Sequence, residues 1–488
     1  MKFVGNIASD SEVVATADGA ITAGKPVIVN ADGTVAQAAI SDASIGSTAD
    51  STLDGTNGFY VAGLPSVSKF VGFGRDTSNS SYGTAVVGVV SGSSISYGTK
   101  SATSVSSYEN YNIEGLTSTT FVLIYRDFND TNKGKARLGT IDASDNSITY
   151  GSIVEFESGQ TSLNESKALT RLTDTTFVIA FEDASDSSKA KAIVGTVSGT
   201  NISFGSPVTY ATANSSKYNT VAALSSTKIV IAYSDTPSSP PEDGEVIIGT
   251  VSGTSISFGS ATQYDASRVI RHTVAALSDT KFVIAYCDDR IGNNYATAIA
   301  GTVSGTNITL GSPVIFRSSD EANDLPDVTK FTENDFVVGY INDAGNPAAI
   351  KGSTSGTTIS FGSSTELDSN NSFRPRATTV NDEKIVVSFY PSNNMSARVY
   401  NPSSANLTSE NFIGFAKDNV ADGAVATIQT ANSIARDNIQ APSTSDTVGT
   451  AVIFESGDTY TYKGSVYDNN ADRIVIFYRD GDDSNYGK

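Results

Sequence analysis

Phe177-Val178-Ile179-Ala180-Phe181-Glu182-Asp183, followed about a dozen residues later by Gly195-Thr196-Val197-Ser198-Gly199-Thr200-Asn201-Ile202-Ser203-Phe204-Gly205, decides the fold. The first run is apolar, β-branched or aromatic, and ends in acids. A short continuous apolar run bounded by turns reads as a strand buried on both faces. The second piece breaks at the turn Ser198-Gly199-Thr200. Beyond the turn, Ile202-Ser203-Phe204 alternates apolar and polar, as an outer, half-exposed strand does. A small apolar run stands before such copies, as in Thr220–Leu224 ahead of Ile229 and Thr273–Leu277 ahead of Phe282.

The first run recurs at Phe70, Phe121, Phe177, Ile229, Phe282, Phe336 and Ile385. A period of roughly 50 residues marks a repeat architecture. Each unit holds four antiparallel strands whose polarity rises from the inner strands to the outer. One such unit cannot cover both its faces, whereas a ring of units can. The expected fold is all-β: a seven-bladed β-propeller of four-stranded antiparallel blades over 51–400, with eight blades as the alternative. Residues 1–50 are expected to form an N-terminal β unit, an anchor or a source of closing strands. Within it, Gly24 to Ala36 reads as a hairpin turning at Asn30-Ala31-Asp32-Gly33. After Ile385 no Ile-Ser-Phe-Gly follows, and 401–450 reads as a small β unit. Residues 451–488 hold an eighth copy at Ile474 that resembles the first. It is either a closing element or the start of a truncated second module, pairing within the chain or with a neighbour by strand addition.

Composition narrows the function. The chain has 488 residues and a formal net charge of −20. An acidic chain without a basic stripe does not suit nucleic acid or an anionic membrane surface. No apolar run is long enough for a transmembrane helix, and the start lacks the apolar core of a signal peptide. With one cysteine, Cys287, no intrachain disulfide forms.

Site candidates are few. Asp76, Asp127, Asp183, Asp235 and Asp288 end equivalent strands, where each is expected to make an Asx-turn. The competing reading is a cation rim: Asp127, Asn129, Asp130, Asp480 and Asp482 offer clustered oxygens that suit Ca²⁺, although neither cluster has a twelve-residue calcium loop. No other cofactor is expected. His272, the only histidine, is read as a loop or strand-start residue without a catalytic partner. Cys287 reads as a buried small hydrophobe. The 52 acids give many accidental carboxylate pairs, and the lack of tryptophan argues against a sugar-stacking cleft. The insert Pro237 to Gly244 reads as a solvated or contact loop.

Asn406-Leu407-Thr408-Ser409-Glu410-Asn411-Phe412-Ile413-Gly414-Phe415-Ala416, the segment Gly19 to Val35 and the Gly-Thr-Val-Ser-Gly-Thr-x-Ile-Ser-Phe-Gly repeats resemble structural proteins of tailed, marine bacteriophages. The resemblance implies a non-enzymatic virion component on the particle surface, a tail fibre or adhesin presenting propeller loops for host attachment. Its partners would be other virion proteins, copies of itself in an oligomer, and host-surface glycan or protein, without nucleic acid or membrane insertion. The alternatives are a capsid or tail decoration subunit that assembles by strand exchange, and a polysaccharide-degrading propeller hydrolase.

Overall fold

Thr176–Asp183 is a strand whose side chains beyond Thr176 are all buried. Its two faces pack on different neighbours. Phe177, Ile179 and Phe181 meet Val122 and Ile124 of the preceding sheet. Val178 and Ala180 meet Ile229, Ile231 and Tyr233 of the following one. This is why the run is apolar without a period: there is no water on either side. Full burial of a side chain such as Phe177 contributes about 1.5–3 kcal/mol.

The computed structural model describes residues 12–429 apart from short stretches, of which the longest are 236–242, 319–324 and 406–411, and the strand backbones at 459–468 and 473–480. Among the described residues the secondary structure is all β, in antiparallel sheets, and no helix is long and apolar enough to cross a membrane. The chain divides into one compact unit at Ala43–Pro402 and another formed by Met1–Asp42 with Ser403–Lys488.

In the larger unit the repeat makes sheets of one plan. Lys217–Ser225, Lys228–Asp235, Asp243–Ser252 and Ser255–Phe258 lie side by side in chain order. A fifth strand, Thr262–Asp265, pairs with the other half of the third strand. The outer edge is therefore one strand bent at Gly259-Ser260-Ala261. The two sheets built from 108–162 and 169–211 are joined into one by pairing of Thr161 with Asp183 and Ser162 with Glu182.

Two glycines of the repeat are set by close approach. Gly195 lies opposite Phe177 in register, and a Cβ there would collide with the Phe177 ring. Gly205, at the outer bend, would meet the carbonyl of Thr254 in the turn of the next sheet. The same outer contact recurs where Gly259 meets Thr306 and Gly311 meets Thr357.

The last sheet has three strands of its own late sequence: Ser372–Val380, Lys384–Pro391 and Asn394–Asn401. Its outer edge comes from the other end of the unit. Ser44–Ile45 pairs with Asn401 and Tyr400, and Ala49–Asp54 pairs with the lower half of the same strand. Gly46 donates its N–H to Val399 O at 2.9 Å, as Gly205 does to Val194 O at 3.0 Å. Gly46 also abuts Ser93 in the turn of the first sheet, the contact that Gly205 makes with Thr254. The outer strand absent after Ile385 is thus Ala43-Ser44-Ile45-Gly46.

The smaller unit holds a five-stranded sheet in the order Glu12–Thr16, Val425–Gln429, Phe412–Ala416, Pro26–Val29, Val35–Gln37. The hairpin turns at Gly33, whose φ is +88°, with Asn30 N–H on Thr34 O at 2.9 Å. The copy at Ile474 forms strand Arg473–Asp480, paired with Thr459–Asp468 in a two-stranded sheet.

Candidate functional site

The innermost strands carry the site. These are Tyr60–Gly63, Tyr108–Gly115, Leu169–Thr173, Lys217–Ser225, Val269–Ser278, Asp327–Lys330 and Ser372–Val380. Each packs against the next, and the last packs against the first. Four of them enter through a bulge in which a residue other than glycine takes positive φ: Asn110 (46°), Tyr218 (53°), Arg271 (50°) and Arg374 (52°). A bulge re-aims the residues that follow it.

Register against the second strands sorts the inner residues into two tiers. The lower tier is Tyr60, Asn112, Ala168, Thr220, Thr273, Asp327 and Arg376. The upper tier, two residues on, includes Glu114, Thr170, Thr329 and Thr378. Both tiers stitch neighbouring sheets together by side-chain acceptors. In the lower tier Thr220 Oγ1 accepts Val274 N–H, Thr273 Oγ1 accepts Val328 N–H, Asp327 Oδ2 accepts Ala377 N–H and Asn112 Oδ1 accepts Ala168 N–H, at 2.9–3.3 Å. In the upper tier Thr170 Oγ1 accepts Ala223 N–H, Thr378 Oγ1 accepts Gly63 N–H and Glu114 Oε1 accepts Arg171 N–H, at 2.8–3.3 Å. Buried polar groups hydrogen-bonded in this way satisfy the backbone at the axis.

Threonine suffices for that bond. Glu114 and Asp327 replace it with a carboxyl, leaving one oxygen over at each. Asp327 is fully buried, and its Oδ1 lies 2.7 Å from Lys167 Nζ. Lys167, just before the strand Leu169–Thr173 of another sheet, also donates to Val328 O and Ala377 O at 3.1 and 3.0 Å. Glu114 lines a cavity of about 460 Å³ whose walls include residues of both tiers. That volume lies in the range of small-molecule sites, roughly 300–1,000 Å³.

Burial pushes the Glu114 carboxyl up to about 7, against the opposing pull of the Arg171 N–H and the charges of Lys167 and Arg171. A carboxyl that holds its proton near neutrality can donate it to a leaving group and recover it. Arg376, 2% exposed, stacks its guanidinium 4.2 Å from the centre of the Tyr60 ring. At the rim stand Arg171, which also pairs with Asp174, and exposed Lys330.

The residues singled out from sequence lie elsewhere. Asp127 Oδ1 accepts the Asn129 N–H at 3.1 Å, an Asx-turn. Asp76 and Asp183 make the same turn with Ser78 and Ser185. Lys135 and Lys133 both pair with Asp130 and hold its carboxyl below the usual range. Asp480 ends a strand, and Asp482 lies outside the described residues, as do 237–242 of the insert. Among the described residues no group of three histidine, cysteine or acidic side chains is placed to hold a metal ion. His272 departs from expectation: it lies within a strand and is fully buried between Tyr218 and Tyr264, and burial lowers its pKa to about 4. Cys287 is buried at the end of its strand. Glu114, Lys167 and Asp327 were missed. The available signal was positional: two carboxyls standing where other copies of the repeat have threonine.

No protein-family model and no curated protein matches the chain. Solved structures similar to it include AofleA from Arthrobotrys oligospora, with a TM-score of 0.40 and 10% identity, covering 85% of this chain and 97% of that one. Another is an ulvan lyase of a new polysaccharide lyase family, with a TM-score of 0.46 and 8% identity over 74% of this chain and 97% of that one. A third belongs to a study of two prolyl endopeptidases, with a TM-score of 0.39 and 12% identity over 76% and 50%. The comparisons go against the expectation of a non-enzymatic virion surface protein. The similar structures are AofleA and a polysaccharide lyase, not virion components. The cavity is also lined by Glu114, whose carboxyl burial raises to about 7, a residue the sequence reading did not single out.

Proposed function

We propose that Ala43–Pro402 is a seven-bladed propeller that binds a saccharide in its axial cavity and cleaves a polysaccharide there, with Glu114 as the general acid. The observation that carries this reading is the Glu114 carboxyl, brought to about 7 at the wall of a polar cavity. Its proton passes to the glycosidic oxygen as the carbon–oxygen bond breaks, the sugar carbon taking a hydroxyl from water in hydrolysis, or a double bond forming as the adjacent carbon loses its proton in β-elimination. That step is common to hydrolysis and to β-elimination, and the new chain end, saturated or unsaturated, tells which occurs. Closure of the ring by Ser44–Ile45 and the repeated outer-edge contacts support the blade count.

The test is to incubate the full chain with neutral and acidic polysaccharides and follow new reducing and unsaturated ends. Glu114→Thr installs the residue that other copies carry at this tier, so the bond to the Arg171 N–H survives. Turnover should fall by at least about 100-fold, the scale of a lost general acid, with the melting temperature held. Turnover unaffected by Glu114→Thr, or no saccharide bound or cleaved by the native chain, overturns the reading.

A further inference from the structure

Two carboxyls stand where the stitching needs only a threonine, and one cation, Lys167, bears on both. Lys167 lies one residue before the lower tier, where the next two inner strands have Asn219 and His272. Its ammonium pairs with Asp327 Oδ1 at 2.7 Å and donates to Val328 O and Ala377 O at 3.1 and 3.0 Å. Three acceptors match its three N–H groups. Its backbone is fixed as well, the Lys167 carbonyl accepting the Val221 N–H at 2.8 Å. Asp327 is fully buried, and its other oxygen accepts the Ala377 N–H at 2.9 Å. The ammonium is therefore not free to swing onto Glu114, whose Oε1 accepts the Arg171 N–H at 3.3 Å. It acts there by charge alone. Glu114 and Lys167 line one cavity. Burial raises the Glu114 carboxyl, and the Arg171 N–H, the Lys167 charge and the Arg171 charge oppose it in that order. The Arg171 side chain is paired with Asp174. Asp327, Lys330, Arg376 and Tyr60 complete the charged and titratable lining.

We propose that Lys167 and Asp327 are positioning residues for Glu114: Lys167 keeps the carboxyl from holding its proton too tightly to give up, and Asp327 pins and offsets the ammonium so that it does not strip that proton away. The inference rests on the reading of Glu114 as the general acid. A cation near a carboxyl favours its ionised form, and a carboxylate beside that cation offsets its field. Threonine at 327 would still make the Ala377 bond, as Thr220 and Thr273 make theirs to Val274 and Val328. It would leave the ammonium unbalanced, and an ionised Glu114 has no proton to donate. The need runs both ways, since a buried carboxylate without its cation is itself costly.

Titration of carbon-13-labelled glutamate carboxyls by NMR, on the full chain, reads the Glu114 proton without any saccharide. The Glu114 signal is the one absent from Glu114→Thr. Asp327→Asn keeps an acceptor for the Ala377 N–H and removes the balancing charge, so the Glu114 midpoint should fall by about half a pH unit or more. Lys167→Met removes the cation, and the midpoint should rise by about as much. Both variants break the same ion pair, so a purely structural contact would move them the same way or not at all. The alkaline limb of polysaccharide turnover should follow, down in Asp327→Asn and up in Lys167→Met. Unmoved midpoints, or midpoints moved in one direction, overturn this inference and leave Glu114-dependent cleavage standing. Where Lys167→Met does not fold, Asp327→Asn decides alone: a lowered midpoint supports the inference, and an unmoved or raised one overturns it. Opposed midpoints in a chain that cleaves no polysaccharide overturn the reading of Glu114 as general acid, and the positioning role with it.

Discussion

Glu245 stands where neighbouring sheets have lysine. Lys135 lies opposite Tyr125 and Lys191 opposite Phe181, and they pair with Asp130 in the following turn and with Asp183 at the strand end. Glu245 instead lies opposite Tyr233, beside Asp235 and Asp243. Burial, then the charges of Asp235 and Asp243, push its carboxyl up to about 7. The folded chain thus holds a proton that the unfolded chain releases above the ordinary glutamate value of 4.5. Stability from this group is fully present below about 4.5 and is lost as pH rises towards 7. Glu245→Lys should raise stability by about 1–2 kcal/mol at pH near 8, and by less near pH 5. Thermal melts at the two pH values check both the sign and the window. Glu114 was harder to read from sequence than such charges. The inner strand before Phe121 reads Asn112-Ile113-Glu114-Gly115 and shares little with Thr220–Leu224. Only backbone register puts Glu114 level with Thr170 and Thr378.

Among the elements, the second and third strands of each sheet were legible because their chemistry leaves one solution. A continuous apolar run needs cover on both faces, and a phenylalanine ring lying across the next strand needs glycine beneath it. Gly195→Ala should therefore destabilise the fold by about 1–3 kcal/mol through overpacking against Phe177, measured as a shift in denaturant midpoint with unchanged slope. If the ring moves aside without cost, the midpoint will stay where it was. The fifth strand, such as Val208–Ala211, was not legible. It follows Gly205-Ser206-Pro207, which by composition is a turn. It becomes a strand because the long third strand, Lys189–Ser198, offers unpaired backbone beyond the first four residues of the outer edge. His272 was misplaced for a related reason: the bulge at Arg271 carries the strand further back than its apolar run suggests.

For the whole molecule, the sequence pointed to strands near the N-terminus as one way to complete the last sheet, and the pairing of Ser44–Ile45 with Tyr400 and Asn401 gives that closure its residues. The match of Ala43-Ser44-Ile45-Gly46 to Ile-Ser-Phe-Gly is too short to stand out from 488 residues, so the seam was visible as a missing strand but not as a located one. Gly46→Leu forces a side chain against the Ser93 carbonyl in the turn of the first sheet. It should loosen the seam selectively. Amide exchange at 396–401 and 84–91 should quicken while the sheets at 217–317 keep their protection, and uniform loss of protection would show that the seam is not a separate weak point. The seam also imposes an order in time. Ser44 leaves the ribosome hundreds of residues before its partner Asn401 exists, and bringing such distant segments together carries a large loop-closure cost until everything between them has packed. Within Ala43–Pro402 the earliest strand made is then the last to find its place. Until synthesis nears completion, Ser44–Ile45 waits as an unpaired edge, and the cell must keep it from the edges of other unfinished chains.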